Sequence, residues 1–367
     1  MCAVVIVVGL AVAGCGSGGA ATPAAGSGGS GWTAVSGDAF AGSALNDVAT
    51  FGNGFVTVGA AAMVGEQQVG GVWTSADGSS WTGAVPTTPF KDATIAVASA
   101  AGDGILALGM PCSGECYGFE SWSTPDASAW SGPVKASGSD TVTPTSFVAR
   151  GIPMIGIGDD LVDVSNADFN GRVFTTPDGE VWSSVPDIAA MHDARLSAIA
   201  AGASGFVIVG SMKTAAGRAA AAWWSTDGTA WTRAAADPSF TDATLSSVVL
   251  GRSGYIAVGS IGPDGAVWTS TDGQTWALSD ENGVFAGSPL VDIATNGAGF
   301  VAIGGDAAGG SAWTSADGAR WTPVPPIPGS AGAHFKSVAV GNTSSVIVGR
   351  PGLSGADAGL VWFGPLP

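Results

Sequence analysis

Apolar residues in this chain fall into short alternating runs broken by glycine, and the same run returns seven times. It reads FVTVG at 55–59, ILALG at 105–109, MIGIG at 154–158, FVIVG at 206–210, YIAVG at 255–259, FVAIG at 300–304 and SVIVG at 345–349. Before it stands another alternating run, as in Leu45–Ala49, Leu196–Ile199 and Leu245–Val248. After it, beyond a segment of variable length, comes VWTSADGSSWTGAV at 72–85, with relatives AVWTSTDGQTWAL at 266–278 and AWTSADGARWTPV at 312–324. Period-2 alternation rich in Val, Ile and Phe and bounded by Gly and Asp predicts strands. No helical stripe occurs outside the extreme N-terminus. Each repeat therefore predicts a four-stranded antiparallel meander.

Tryptophan sets the period. Trp32, Trp81, Trp130, Trp182, Trp231, Trp276 and Trp321 follow one another at intervals of 45 to 52 residues. A second column lies eight residues upstream, at Trp73, Trp122, Phe174, Trp223, Trp268 and Trp313, and Trp362 continues it. Only Trp224 stands outside both columns. Repetition at this period marks an array or a propeller. The two ends decide between them. Trp32-Thr33-Ala34-Val35 matches the fourth strand of every other unit, and the last unit stops at its third strand, around Trp362. Each end supplies what the other lacks, so the expected fold is all-β, a seven-bladed β-propeller over residues 32–367 closed by pairing the N- and C-terminal strands. Closure removes the free sheet edges that an open stack would leave. A solenoid is the alternative and has no use for the split repeat.

The unit Ser/Thr-x-Asp-Gly-x-x-Trp, at Asp77, Asp178, Asp227, Asp272 and Asp317, resembles the Asp-box (BNR) motif of sialidase-like and photosystem-assembly-factor-like propellers. Its Asp-to-Trp spacing is one residue shorter than theirs. Asp126 is followed by Ala127 instead of glycine. Asp-Gly between two β-prone runs predicts a hairpin of type I′, with positive φ at both central residues, and gives these six aspartates a structural role in turns. At Asp126 the turn should be strained or of another type.

Residues 3–13, AVVIVVGLAVA, are too few to span a bilayer and long enough for the apolar core of a signal peptide. Val12-Ala13-Gly14-Cys15 resembles the bacterial lipobox, which implies removal of residues 1–14 and lipidation of Cys15; an ordinary cleaved signal is the other reading. The segment lacks the Lys or Arg that usually precedes such a core. Residues 15–31 continue as a Gly/Ser/Ala-rich tether. The expected address is the extracytoplasmic face of a bacterial membrane. Charge agrees with the exclusion of some partners: twelve Lys plus Arg against 29 Asp plus Glu give −17, and no basic patch for nucleic acid is visible. Cys112 and Cys116, in PCSGEC, read as a local disulfide in an oxidising compartment, with a metal half-site or free thiols as alternatives. His192 and His334 lie too far away in sequence to complete a zinc site, and neither a metal nor another cofactor is expected.

The sialidase resemblance would imply a tyrosine nucleophile, carboxylates and three substrate-gripping arginines. Tyr255 occupies the strand column of Phe55, Phe206 and Phe300 and reads as core; Tyr117 reads as a surface aromatic. No three arginines share an inner-strand column, and the hydrolase and nucleotide-binding motifs are missing. Abundant Asp and Glu leave a two-carboxylate hydrolase as the competing class. The segments between second and third strands are long in units one to four: 60–71, 110–121 and 159–172 among them. They should emerge opposite the Asp-Gly turns and carry the ligand surface. Its candidate residues are Glu66, Tyr117, Asp159, Asp160, Asp163, Asp168 and Trp224. The four aspartates read as a solvated acidic loop before a calcium site, and Trp224 as filler between blades before a ligand platform. The expectation is a monomeric, lipid-anchored, non-catalytic binding or assembly module for an envelope protein or polysaccharide.

Overall fold

The computed structural model describes residues 29–36, 38–61, 69–83, 88–112, 116–148, 153–163, 168–279, 283–352 and 358–367. Seven four-stranded antiparallel sheets are arranged as blades, each a simple meander. The innermost strands, in order, are Ala44–Phe51, Ala93–Ala101, Val142–Val148, Ala194–Gly202, Ala243–Gly251, Leu290–Thr295 and Ala333–Val340. Blade seven takes its second and third strands from Ser345–Pro351 and Leu360–Gly364 and its outermost from Thr33–Ala34. Thr33 pairs with Phe363 and Ala34 with Trp362, and the Val35 amide donates to the Val361 carbonyl at 2.8 Å. The ring is closed as the split repeat predicts.

The core lies between blades, not within them. Seven apolar clusters fill the seven interfaces. The last interface joins Leu45, Val48 and Phe55 of blade one to Val346, Val348 and Val361 of blade seven. Side chains alternate along each strand, so a blade buried on both faces needs apolar residues at successive positions, and FVTVG-type runs supply them. Each innermost strand carries a bulge at the same place, between Leu45 and Asp47 in blade one and between Phe335 and Ser337 in blade seven. A bulge adds local twist.

The two aromatic columns have distinct tasks. Third-strand tryptophans reach the segment that links one blade to the next: Trp73 Nε1 donates to the Ala39 carbonyl at 2.9 Å, Trp122 to Pro89 at 2.7 Å and Trp223 to Ala190 at 2.7 Å. A phenylalanine from that segment often completes the cluster, as Phe90 does against Trp122 and Trp130.

The Asp-Gly turns depart from the type I′ expectation. The glycine has positive φ, +84° at Gly78, but the aspartate does not. Asp77 Oδ1 instead accepts the amides of Ser79 and Ser80 at 2.8 and 3.0 Å, and Ser75 Oγ accepts that of Gly78 at 2.8 Å. Two local side-chain caps replace the second left-handed residue. Glycine is needed for contact as well as for φ, because a Cβ on Gly78 would come within 2.6 Å of Val346 in the neighbouring blade.

Candidate functional site at the mouth of the ring

A meander puts the turns after first and third strands at one end of the ring. The hairpins between second and third strands, and the links between blades, lie at the other. At this second end a recess of ≈ 400 Å³ opens beside the axis, shared by blades three, four and five. Thr145, Ser197 and Ser246 come to it from the three innermost strands, and Asp159, Arg195 and Arg218 from the strand ends nearest the hairpins.

Asp159 follows Gly158 on the second strand of blade three, Met154–Asp163. Its side chain is buried against blade four and accepts the Leu196 amide at 2.7 Å. Arg195 Nε lies 3.5 Å from its other oxygen. Burial raises the Asp159 carboxyl to about 7, against the opposing pull of the Leu196 amide, Arg195 and Arg218. Arg195 is held from its other side by the Phe169 ring, 4.8 Å from the guanidinium carbon to the centroid. Arg218 donates from Nε to Ser211 Oγ at 3.2 Å. The result is a small polar hollow with two oriented guanidinium groups in a strongly acidic chain. Such groups recognise carboxylate, phosphate and peptide carbonyl oxygens. Strand columns in the sequence did not reveal this pair, because Arg195 sits on an innermost strand and Arg218 on a third strand.

Other expected site residues are placed differently. Residues 1–28, including Cys15, and Glu66 lie outside the described residues. The four aspartates of the 159–172 segment do not lie in a loop: Asp159, Asp160, Asp163 and Asp168 all belong to extended strands, and Asp163 pairs with Asp168. Asp160 meets Arg172 at 3.3 Å. Among the described residues no group of three or more His, Cys, Asp or Glu is placed to hold a metal ion. Cys112 and Cys116 are joined as a disulfide. Tyr117 is 41% exposed beside it, away from the recess. Tyr255 is buried, its hydroxyl 3.5 Å from the Gly205 carbonyl oxygen. Trp224 packs against the cluster between blades four and five, with Val207 and Leu245. Asp77, Asp126, Asp178, Asp227, Asp272 and Asp317 all sit in the turns at the far end, where backbone amides hold their carboxyls below the usual range; at Asp126 the Ser128 hydroxyl contributes most.

A larger groove, ≈ 740 Å³, lies at that far end between blades five and six, lined by Ile256, Trp276, Phe300 and Asp317 among others. Its volume does not make it the better site. A counterpart of ≈ 270 Å³ occupies the corresponding positions between blades two and three, with Leu106 for Ile256 and Asp178 for Asp317. The gap between neighbouring Asp-Gly turns thus belongs to the repeat, whereas the arginine recess is particular to blades three to five.

No family model matches the chain, and no curated protein matches it. Solved structures do. YCF48 bound to D1 peptide superposes with a TM-score of 0.61 at 16% identity, over 92% of this chain and 96% of that one. A virginiamycin B lyase from Staphylococcus aureus gives 0.59 at 10% identity, over 91% and 99%. Trypanosoma rangeli sialidase gives 0.51 at 15% identity, over 78% of this chain and 56% of that one. The chain shares the propeller fold with YCF48, a lyase and a sialidase. At these identities the likeness establishes architecture alone.

Proposed function

We propose that this protein is a lipid-anchored propeller on the extracytoplasmic face of a bacterial membrane, where it binds a segment of an envelope protein at the hairpin end of the ring. The recess between blades three and five carries the reading: two oriented arginines and a set of hydroxyls face outward where a rigid scaffold fixes them. A protein ligand is favoured over a polysaccharide because guanidinium groups suit the carbonyl and carboxylate oxygens of a peptide. That YCF48 was solved with a peptide is consistent with this choice. The hydrolase alternative meets a chemical obstacle. Asp159 is the one carboxylate among the described residues lining the recess, and one of its oxygens is committed to the Leu196 amide; glycoside hydrolysis of the usual kind needs two. Anchoring rests on Val12-Ala13-Gly14-Cys15 and the tether after it.

The test is capture of cross-linked partners from the native envelope. Arg195→Met with Arg218→Met is expected to lose the captured partner while still melting cooperatively as a folded protein; full retention would overturn the assigned surface. Cys15→Ser is expected to move the protein out of the membrane fraction, and unchanged membrane partition would remove the anchor from the account.

A further inference from the structure

We propose that the inner edge of blade seven is an anion site, in which His334, Lys336 and Arg350 together hold a carboxylate or phosphate group at the mouth of the ring. His334 and Arg350 are directly opposed on the first and second strands of the blade, so their side chains share one face. Phe335 packs on Val301 and Ile303 of blade six. Neighbouring residues on a strand point opposite ways, which sends His334 and Arg350 toward blade one. Lys336 is the residue that the bulge between Phe335 and Ser337 leaves unpaired.

Two cations side by side, with an imidazole next to them, are costly unless something negative joins them. The chain has only twelve Lys plus Arg, yet among the described residues none of these three takes part in an ion pair. The Nε of Arg350 is buried with no acceptor. An unpaired guanidinium N–H away from water is a donor waiting for a partner. Partial desolvation at the strand end and the neighbouring Arg350 charge both pull the Lys336 ammonium below its ordinary range, although the side chain still reaches solvent, so the cluster disfavours its own charge.

Blade three carries the opposite charge at the same place. Asp159 follows Gly158 as Arg350 follows Gly349, each directly after the glycine that ends the repeated apolar run. In blade three that position holds a carboxylate answered by Arg195 and an amide of the next blade. In blade seven the charge is inverted and the answering anion is not among the described residues. An anion from outside would take the Nε–H of Arg350, neutralise Lys336 and accept from His334.

The chain has two histidines, and the other one, His192, is paired with Asp187 at 2.6 Å. Ring signals of 15N-labelled histidine therefore give a probe and an internal reference. Inorganic phosphate and acetate are titrated separately, with chloride at matched ionic strength as control. Saturable movement of the His334 signals with a still His192 supports the site, and the tighter-binding probe identifies phosphate or carboxylate as its preferred chemistry. Arg350→Met is expected to weaken that binding by about tenfold or more, as for loss of a charge-assisted hydrogen bond. Lys336→Met, at an exposed position where folding is not at stake, should weaken it too. A response that is linear, equal with chloride, or unchanged in the Lys336 variant would overturn the site. This outcome is independent of partner capture at Arg195 and Arg218.

Discussion

Asp47 shows how one residue can tie the ring together. Its carboxylate accepts the Ala98 amide of blade two at 2.9 Å and the Ser337 hydroxyl of blade seven at 2.7 Å. Asp292 does the same further round, taking the Ser247 hydroxyl of blade five at 2.7 Å and the Val338 amide of blade seven at 2.9 Å. A polar belt thus runs from blade five through six, seven and one to two. Burial raises both carboxyls, Asp47 to about 7. In the unfolded chain Asp47 titrates near 3.8, so between about pH 4 and 7 the folded form binds its proton more tightly. Stability from this group is present at the acid end of that window and falls as pH rises through it. The turn aspartates act in the opposite sense: Asp77 and Asp227 are lowered to about 2, and what little these exposed groups contribute is lost as pH falls from about 4 to 2. Asp47→Asn keeps an acceptor for Ala98 and a partner for Ser337 while removing the titration. It should flatten the decline of unfolding free energy between pH 4.5 and 7.5 in urea titrations. An unchanged slope would mean that Asp47 is not the group responsible.

At the scale of single elements, the sequence was legible wherever its period spoke directly. Strand order, the two aromatic columns and the placement of all six Asp-Gly or Asp-Ala turns follow from alternation and stride. It misled in two places for identifiable reasons. The Asp-Gly dipeptide predicted a type I′ turn because that rule covers two-residue hairpins, whereas here a longer turn is closed by Ser/Thr and Asp side chains. The acidic segment 159–172 looked like a loop because Asp and Asn are poor strand formers; cross-strand pairing and the Asp160–Arg172 ion pair override that propensity. The reading of Asp126-Ala127 as an exceptional turn agrees with its geometry. Ala127 has φ of +63°, a conformation that costs a residue with Cβ roughly 1 kcal/mol or more. Trp130 Nε1 is left buried without an acceptor, while Trp81 in its normal turn donates to the Gly78 carbonyl at 2.9 Å. Ala127→Gly should therefore stabilise the protein by about 1 kcal/mol, seen as a higher urea midpoint. A lower midpoint would show that the turn is not strained at this residue.

For the whole molecule, closure was legible in the sequence, because two incomplete repeats at opposite ends can only complete each other. The site was not. Recess and anion cluster both arise where side chains from different strands and blades converge, and the residues involved are scattered over 145–246 and 334–350 without a common motif. Their functional meaning depends on which end of the ring does the binding, and this can be measured directly. Two variants are compared in affinity capture from the native envelope, each first shown to melt as a folded protein. In one, Arg195→Met and Arg218→Met are combined with replacement of residues 62–68 by the Gly262-Pro263 turn of blade five. In the other, Asp272→Ala and Asp317→Ala alter the opposite end beside its larger groove. The account predicts that the first loses the partner and the second keeps it with reduced thermal stability; retention by the first and loss by the second would place the working surface on the Asp-Gly end and contradict it.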